Sequence, residues 1–145
     1  MEPIVGSGKY TYRVNDEWQR PPAGLDVRAG AVSVDSQDRV YCFNRNPEHA
    51  VVIFDQNGKL LSVWATELIG PAFFYVDNDD VVYIPEHNGG RISILTLDGE
   101  RLARWGDGPV HRSCHGIWVD SHSDLYVVQP GEWGRVRRVV KYERQ

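Results

Sequence analysis

The chain has 145 residues, with 16 basic against 20 acidic side chains and a formal net charge of -4. That leaves no basic excess to neutralise a phosphate backbone, so nucleic acid is not expected as a partner; hydrophobic residues at 41% and aromatics at 11% suffice for a packed core and exclude wholesale disorder. No apolar run nears the ~20 residues of a membrane helix, the opening Met1-Glu2-Pro3-Ile4-Val5-Gly6 has no basic region leading into a long apolar one, and Cys42 and Cys114 are too few for a disulfide scaffold; the expectation is a cytoplasmic protein with two reduced thiols and no membrane partner.

In chain order, the first expected strand is Lys9 to Val14, and most of the remaining chain is a repeat. Val34-Asp35-Ser36-Gln37-Asp38-Arg39-Val40-Tyr41 returns as Val76-Asp77-Asn78-Asp79-Asp80-Val81-Val82-Tyr83 and again as Val119-Asp120-Ser121-His122-Ser123-Asp124-Leu125-Tyr126. The spacings are 42 and 43 for both the aspartates and the tyrosines. A second half-motif runs from Val51 through Asn57-Gly58 to Trp64, and from Ile92 through Asp98-Gly99 to Trp105. Asn-Gly and Asp-Gly are hairpin dipeptides, because glycine takes a positive φ without steric cost. Each unit therefore reads as four short strands, a to d. Strand a is Ala31 to Val34, Phe73 to Val76 and Gly116 to Val119. Strand b is Val40 to Phe43, Val81 to Ile84 and Leu125 to Val128. Strand c is Ala50 to Phe54, Arg91 to Leu95 and Val136 to Lys141, and strand d is Lys59 to Trp64 and Glu100 to Trp105. No helix-period stretch competes.

Four antiparallel strands repeating every ~40 to 45 residues define a β-propeller blade. The expected fold is thus all-β, a propeller with three blades per chain at about 30–64, 72–105 and 115–142. The third lacks a d strand, and Lys9 to Val14 aligns with Lys59 to Trp64 closely enough to supply one. Three blades do not close a ring of the usual four to eight. The expectation is a homodimer of six blades, with the N-terminal strand 9–14 paired to the partner's last strand rather than to its own.

His115-Gly116-Ile117-Trp118-Val119-Asp120-Ser121 and Arg91-Ile92-Ser93-Ile94-Leu95 resemble the NHL repeat of six-bladed propellers. The opening Ile4-Val5-Gly6-Ser7-Gly8-Lys9-Tyr10, with Trp18, is similar to the start of bacterial relatives of peptidyl-α-hydroxyglycine α-amidating lyase, which run to about twice this length. The resemblance implies a zinc ion on the central axis, held by histidines that each open an innermost strand and assisted by an arginine and a tyrosine. Among those positions this chain has histidine only at His115; the others are Gly30 and Ala72.

Strand order sends the d-to-a and b-to-c connections to one face and tight turns to the other. Function concentrates on long loops held by a rigid scaffold, so the first face is the candidate site. It is expected to gather His111, His115, Cys114, Glu86, His87, Arg45, Trp18, Arg20, Arg28, Glu132 and Trp133. His115 and His111 are the candidate metal ligands, for zinc first and calcium second. His111, Glu86, His87 and Arg28 are the candidate catalytic groups, and a small molecule or peptide is the expected ligand. Each has a plainer reading: His115 can cap the channel on a backbone carbonyl, and Glu86-His87 can be ordinary loop polarity. His49 reads as structural, Cys114 as pointing away from His115, and Trp64 and Trp105 as packing residues. The function expected is a metal-dependent lyase or hydrolase acting on a small polar substrate at the channel mouth. A non-catalytic scaffold for a peptide or protein, and an assembled fragment without selected function, natural or engineered, stay open beside it.

Overall fold

The recurring aspartate organises each inner hairpin. The Asp35 Oδ1 accepts from the backbone N–H of Gln37 and Arg39, both at 2.9 Å, and its Oδ2 accepts from the Tyr41 hydroxyl at 3.2 Å. Asp77 repeats this with Asp79, Val81 and Tyr83, and Asp120 with His122, Asp124 and Tyr126. Within each turn the residue three beyond the aspartate adopts a left-handed conformation: Asp38 at φ 59°, Asp80 at 60° and Ser123 at 66°. Aspartate, asparagine and serine tolerate that region better than bulkier residues do. The Asp-to-Tyr spacing seen in the sequence is therefore one carboxylate satisfying two turn amides and a tyrosine hydroxyl.

The computed structural model describes residues 2–64, 66–106, 113–131 and 137–145 and is all-β. Strands β1 (Ile4–Ser7) and β2 (Tyr10–Arg13) form a hairpin of their own. Blade 1 is β3 (Ala29–Val34), β4 (Val40–Asn44), β5 (Val51–Phe54) and β6 (Leu60–Trp64), with a 3-10 turn at Pro47–His49. Blade 2 is β7 (Tyr75–Val76), β8 (Val82–Glu86), β9 (Arg91–Leu95) and β10 (Arg101–Trp105). Blade 3 is β11 (Gly116–Val119), β12 (Leu125–Gln129) and β13 (Arg138–Tyr142). Every pairing is antiparallel between sequential strands, which makes each blade a meander.

The blades stack through apolar faces that alternate along each strand. Tyr41, Phe43, Val51, Ile53 and Trp64 of blade 1 pack with Phe74, Val76, Val82, Ile84 and Leu95 of blade 2. Tyr83 and Ile92 of blade 2 pack with Ile117, Val119, Leu125 and Val127 of blade 3. Tyr41 and Phe74 stack at 5.8 Å, and Trp64 meets both rings, so the recurring tryptophan is a packing residue, as its spacing suggests.

Two features depart from the sequence reading. Ile4 to Ser7, which no repeat motif marks as a strand, is one, and the expected blade-completing segment 9–14 pairs with it. Among the described residues nothing pairs with the outer edge of β13, and the β1–β2 hairpin is exposed on every residue. Trp18 and Arg20 do not reach the loop face. The Trp18 Nε1–H donates to the Gln56 carbonyl at 2.9 Å and the Arg20 N–H to the Gly58 carbonyl at 2.8 Å, which fixes both at the β5–β6 turn.

The turn carboxylates make stability acid-sensitive. Burial would raise the Asp35 pKa, but bonds from the Arg39 backbone and guanidinium and from the Gln37 amide outweigh it and hold the group below its ordinary 3.8. A carboxylate depressed in the folded state contributes stability that is complete above its unfolded pKa and is lost as pH falls through the folded one. Urea titrations should therefore show stability declining below about pH 4 to 5. Asp35→Asn should be less stable at pH 7, with a flatter decline; an unchanged pH slope would remove this carboxylate from the acid response.

Candidate functional site

Three equivalent positions open the innermost strands of the three blades: Gly30, Ala72 and His115. All three line one cavity of about 430 Å³, together with Phe43, Asn44, Arg45, Leu68, Gly70, His87 and Asn88. The small residues at two of these positions leave room for the side chains that enter from the b-to-c connections. Arg45 lies over Gly30, where a β-carbon would stand 3.2 Å from its Nε, and His87 enters from the end of β8. The His87 and His115 rings meet edge to face, with centroids 6.2 Å apart and planes at 86°. The His115 N–H donates to the Val128 carbonyl at 2.9 Å, which fixes its backbone on β12 and leaves the side chain exposed toward the cavity.

Buried polar groups hold the segments around the cavity. The Asn44 Oδ1 accepts from the Arg28 N–H at 2.7 Å and its Nδ2 donates to the Asp26 carbonyl at 2.9 Å, so one buried amide holds the loop before β3. Glu86 is fully buried. Its Oε2 accepts from the Ile69 N–H at 2.6 Å and from the Arg91 Nε–H at 2.9 Å; its Oε1 accepts from the Ser93 hydroxyl and lies 3.3 Å from the Arg104 Nη2. The Ala72 N–H donates to the Pro85 carbonyl and the Gly89 N–H to the Ile69 carbonyl. Segment 68–72, one wall of the cavity, is thereby tied to segment 85–89.

The residues named from sequence separate on this geometry. His87, His115 and Arg45 share the cavity. Glu86 is the last residue of β8 rather than a loop residue, and its carboxylate is enclosed by Arg91, Arg104, Ser93 and Ile69 rather than lining the cavity. Arg28 is mostly exposed, with its guanidinium on Asp26 at 2.6 Å, outside the cavity lining. Cys114 is buried in the blade 2–3 core, and burial pushes its thiol pKa up, the opposite of an activated nucleophile. His49 sits in the 3-10 turn, its N–H donating to the Asn46 carbonyl. His111, Glu132 and Trp133 lie outside the described residues. Asn44 and Asn88 carry no motif in the sequence; their signal is position alone, at or just beyond the ends of β4 and β8.

A catalytic zinc takes three protein donors and a structural one four. Among the described residues the cavity offers two imidazoles, and no group of three or more histidine, cysteine, aspartate or glutamate side chains is arranged to hold a metal ion. The described residues of one chain do not fit such an ion.

Fold and cavity together define a β-propeller segment with a histidine-lined mouth. No family model matches the chain and no curated protein matches it. Solved structures do. Virginiamycin B lyase from Staphylococcus aureus superposes with a TM-score of 0.62 at 13% identity, over 83% of this chain and 42% of that one. A streptogramin B lyase gives 0.60 at 16% identity, over 86% and 43%. A protein from Bacteroides fragilis gives 0.65 at 12% identity, over 86% and 37%. Another structure of the S. aureus lyase is of a catalytically inactive histidine-to-alanine variant with quinupristin. This chain thus spans about two fifths of the length of each, and at such identities the likeness establishes the propeller fold alone.

Proposed function

We propose that the chain is an NHL-type propeller segment whose loop-face cavity binds a small polar, carbonyl-bearing ligand and acts on it as a lyase, with His87 and His115 as the proton-transfer pair. The observation that carries this reading is two imidazoles meeting edge to face inside one cavity that Arg45 also lines. Elimination needs one group to take a proton from carbon and another to give one to the departing atom. Imidazole is the side chain best suited to both near neutral pH. Arg45 is placed to neutralise negative charge that gathers on the carbonyl oxygen as the proton leaves. Glu86 acts through the wall it holds and not on the ligand. Two lyases among the structural neighbours, one inactivated by loss of a histidine, agree with this chemistry.

The test uses quinupristin as the probe, with turnover followed by mass spectrometry and binding by imidazole NMR shifts. His87→Ala and His115→Ala should each lower turnover by at least about 100-fold, the usual weight of a general acid or base, with the fold unchanged by circular dichroism. Quinupristin bound at the cavity without turnover supports the non-catalytic scaffold instead. Turnover that depends on added zinc chloride restores the metal-dependent reading.

A further inference from the structure

The repeat supplies an internal standard for burial. Val32, Phe74 and Ile117 are equivalent inner-strand positions on the face each blade turns toward the one before it. Phe74 and Ile117 are 1% and 3% exposed, but Val32 is 58% exposed. At the next such position Val76 and Val119 are 7% and 9% exposed, and Val34 is 50%. The opposite end mirrors this. Phe43, which packs with blade 2, and Pro85 are both buried, whereas their equivalent Val128 is exposed, with Val139 and Trp118 beside it. Among the described residues no blade stands in front of blade 1 or behind blade 3.

The chemistry at the two ends identifies what fits them. Blades 1 and 2 are tied at the turn face by Ser36, whose hydroxyl and N–H both donate to the Asp80 carboxylate, at 2.5 and 2.9 Å. The repeat equivalents of that pair at the open ends are Ser121 behind blade 3 and Asp38 in front of blade 1, the same two residue types, with Asp38 holding the same left-handed φ as Asp80. The back of blade 3 therefore carries one half of the Ser–Asp pair that joins blades 1 and 2, and the front of blade 1 the other half.

A third observation concerns the N-terminal segment. Trp64 leads to Thr66, whose hydroxyl donates to the Gly99 carbonyl, and a β-carbon on Gly99 would strike Trp64. Trp18 leads to Arg20, whose N–H donates to the Gly58 carbonyl, and a β-carbon on Gly58 would strike the Trp18 backbone carbonyl, where one on Gly99 meets the Trp64 ring. Trp18 lies edge-on to Phe54 at 5.7 Å as Trp105 does to the equivalent Tyr142 at 5.9 Å. Trp18 thus occupies the place that the end of a preceding blade's outer strand occupies elsewhere, in front of blade 1.

We propose that the occupant of both ends is a second copy of this chain, stacked back to front at each junction, so that two copies close a two-fold ring of six blades. Ser121 of each copy bonds Asp38 of the other, and the β1–β2 hairpin, leading directly into Trp18, covers the outer edge of the other copy's β13. Six blades fall within the range in which propellers close, and two-fold closure buries every end face without leaving one for further growth.

Sedimentation equilibrium of the full chain should give twice the 16.5 kDa of one chain. Val32→Lys and Val128→Glu, both at exposed positions that a single chain's fold tolerates, should each give monomers with unchanged circular dichroism. Mixing the two should restore a dimer, because one junction is then unaltered and the other pairs lysine with glutamate. Deleting residues 1–14 should weaken the dimer at least 10-fold. A monomeric parent chain, a dimer indifferent to both charged variants, or open-ended higher oligomers would overturn the proposal, and a deletion variant that dimerises as tightly as the parent would overturn its hairpin exchange.

Discussion

Glu86→Ala is expected to cost about 3–5 kcal/mol, the range for removing one partner from a buried charge cluster. The carboxylate is fully buried, and the Arg91 and Arg104 side chains that face it are themselves mostly buried. Removing it leaves two guanidinium groups close together without their counter-charge, and leaves the Ile69 N–H and Ser93 hydroxyl without their acceptor. Glu86→Gln keeps the shape and one acceptor but not the charge, so its cost should be smaller. Chemical denaturation of the two variants checks the order; equal, small losses would mean that water replaces the carboxylate. Because Glu86 ties segment 68–72 to the cavity, ligand binding should weaken in both variants while His87 and His115 stay in place.

Glu86 also shows where sequence reading loses its grip. A glutamate after a Val-Tyr-Ile-Pro strand and before His-Asn-Gly-Gly looks like the start of a polar loop. Its partners come from β9 and β10, 5 and 18 residues on, and no local pattern announces that two arginines will converge on it. The blades are legible for the opposite reason. Their register is fixed by contacts only six residues long, aspartate to tyrosine, and by glycine turns, both of which recur at measurable intervals. His115 can be placed at the mouth because it shares a repeat position with Gly30 and Ala72. His87 follows from the topology of the b-to-c connection, but the meeting of the two rings is a matter of three-dimensional geometry. Sequence misplaces Trp18 because the order of connections puts it on the loop side, whereas its indole N–H reaches Gln56 on the turn side. The spacing from Trp18 to Gly58 differs from that between Trp64 and Gly99, so the equivalence of the two tryptophans is hidden in sequence and plain in space.

Among the described glycines outside the strands, Gly58→Ala should be the most damaging substitution. Gly58 has φ 80°, a region that costs an L-residue roughly 1–2 kcal/mol. A β-carbon there would stand 1.6 Å from the Trp18 carbonyl oxygen and 2.6 Å from its carbon. Both are backbone atoms, so no side-chain rotation relieves the overlap and the segment must move as a whole. That movement breaks the Arg20 N–H bond to Gly58 and the indole bond to Gln56, and lifts Trp18 off Phe54. It also uncovers Cys42, Val52 and Phe54, the apolar cluster in front of blade 1 that Trp18, Leu25 and Val27 cover. Gly24→Ala is the control. Gly24 has φ 91° and open space where its β-carbon would go, so it bears the conformational cost alone. Urea denaturation should show Gly58→Ala losing at least twice the stability lost by Gly24→Ala, with tryptophan fluorescence shifted to the red as Trp18 meets water. Equal losses would mean that segment 18–20 rests loosely on blade 1, and then its place at the front of the blade would have no bearing on how two copies join.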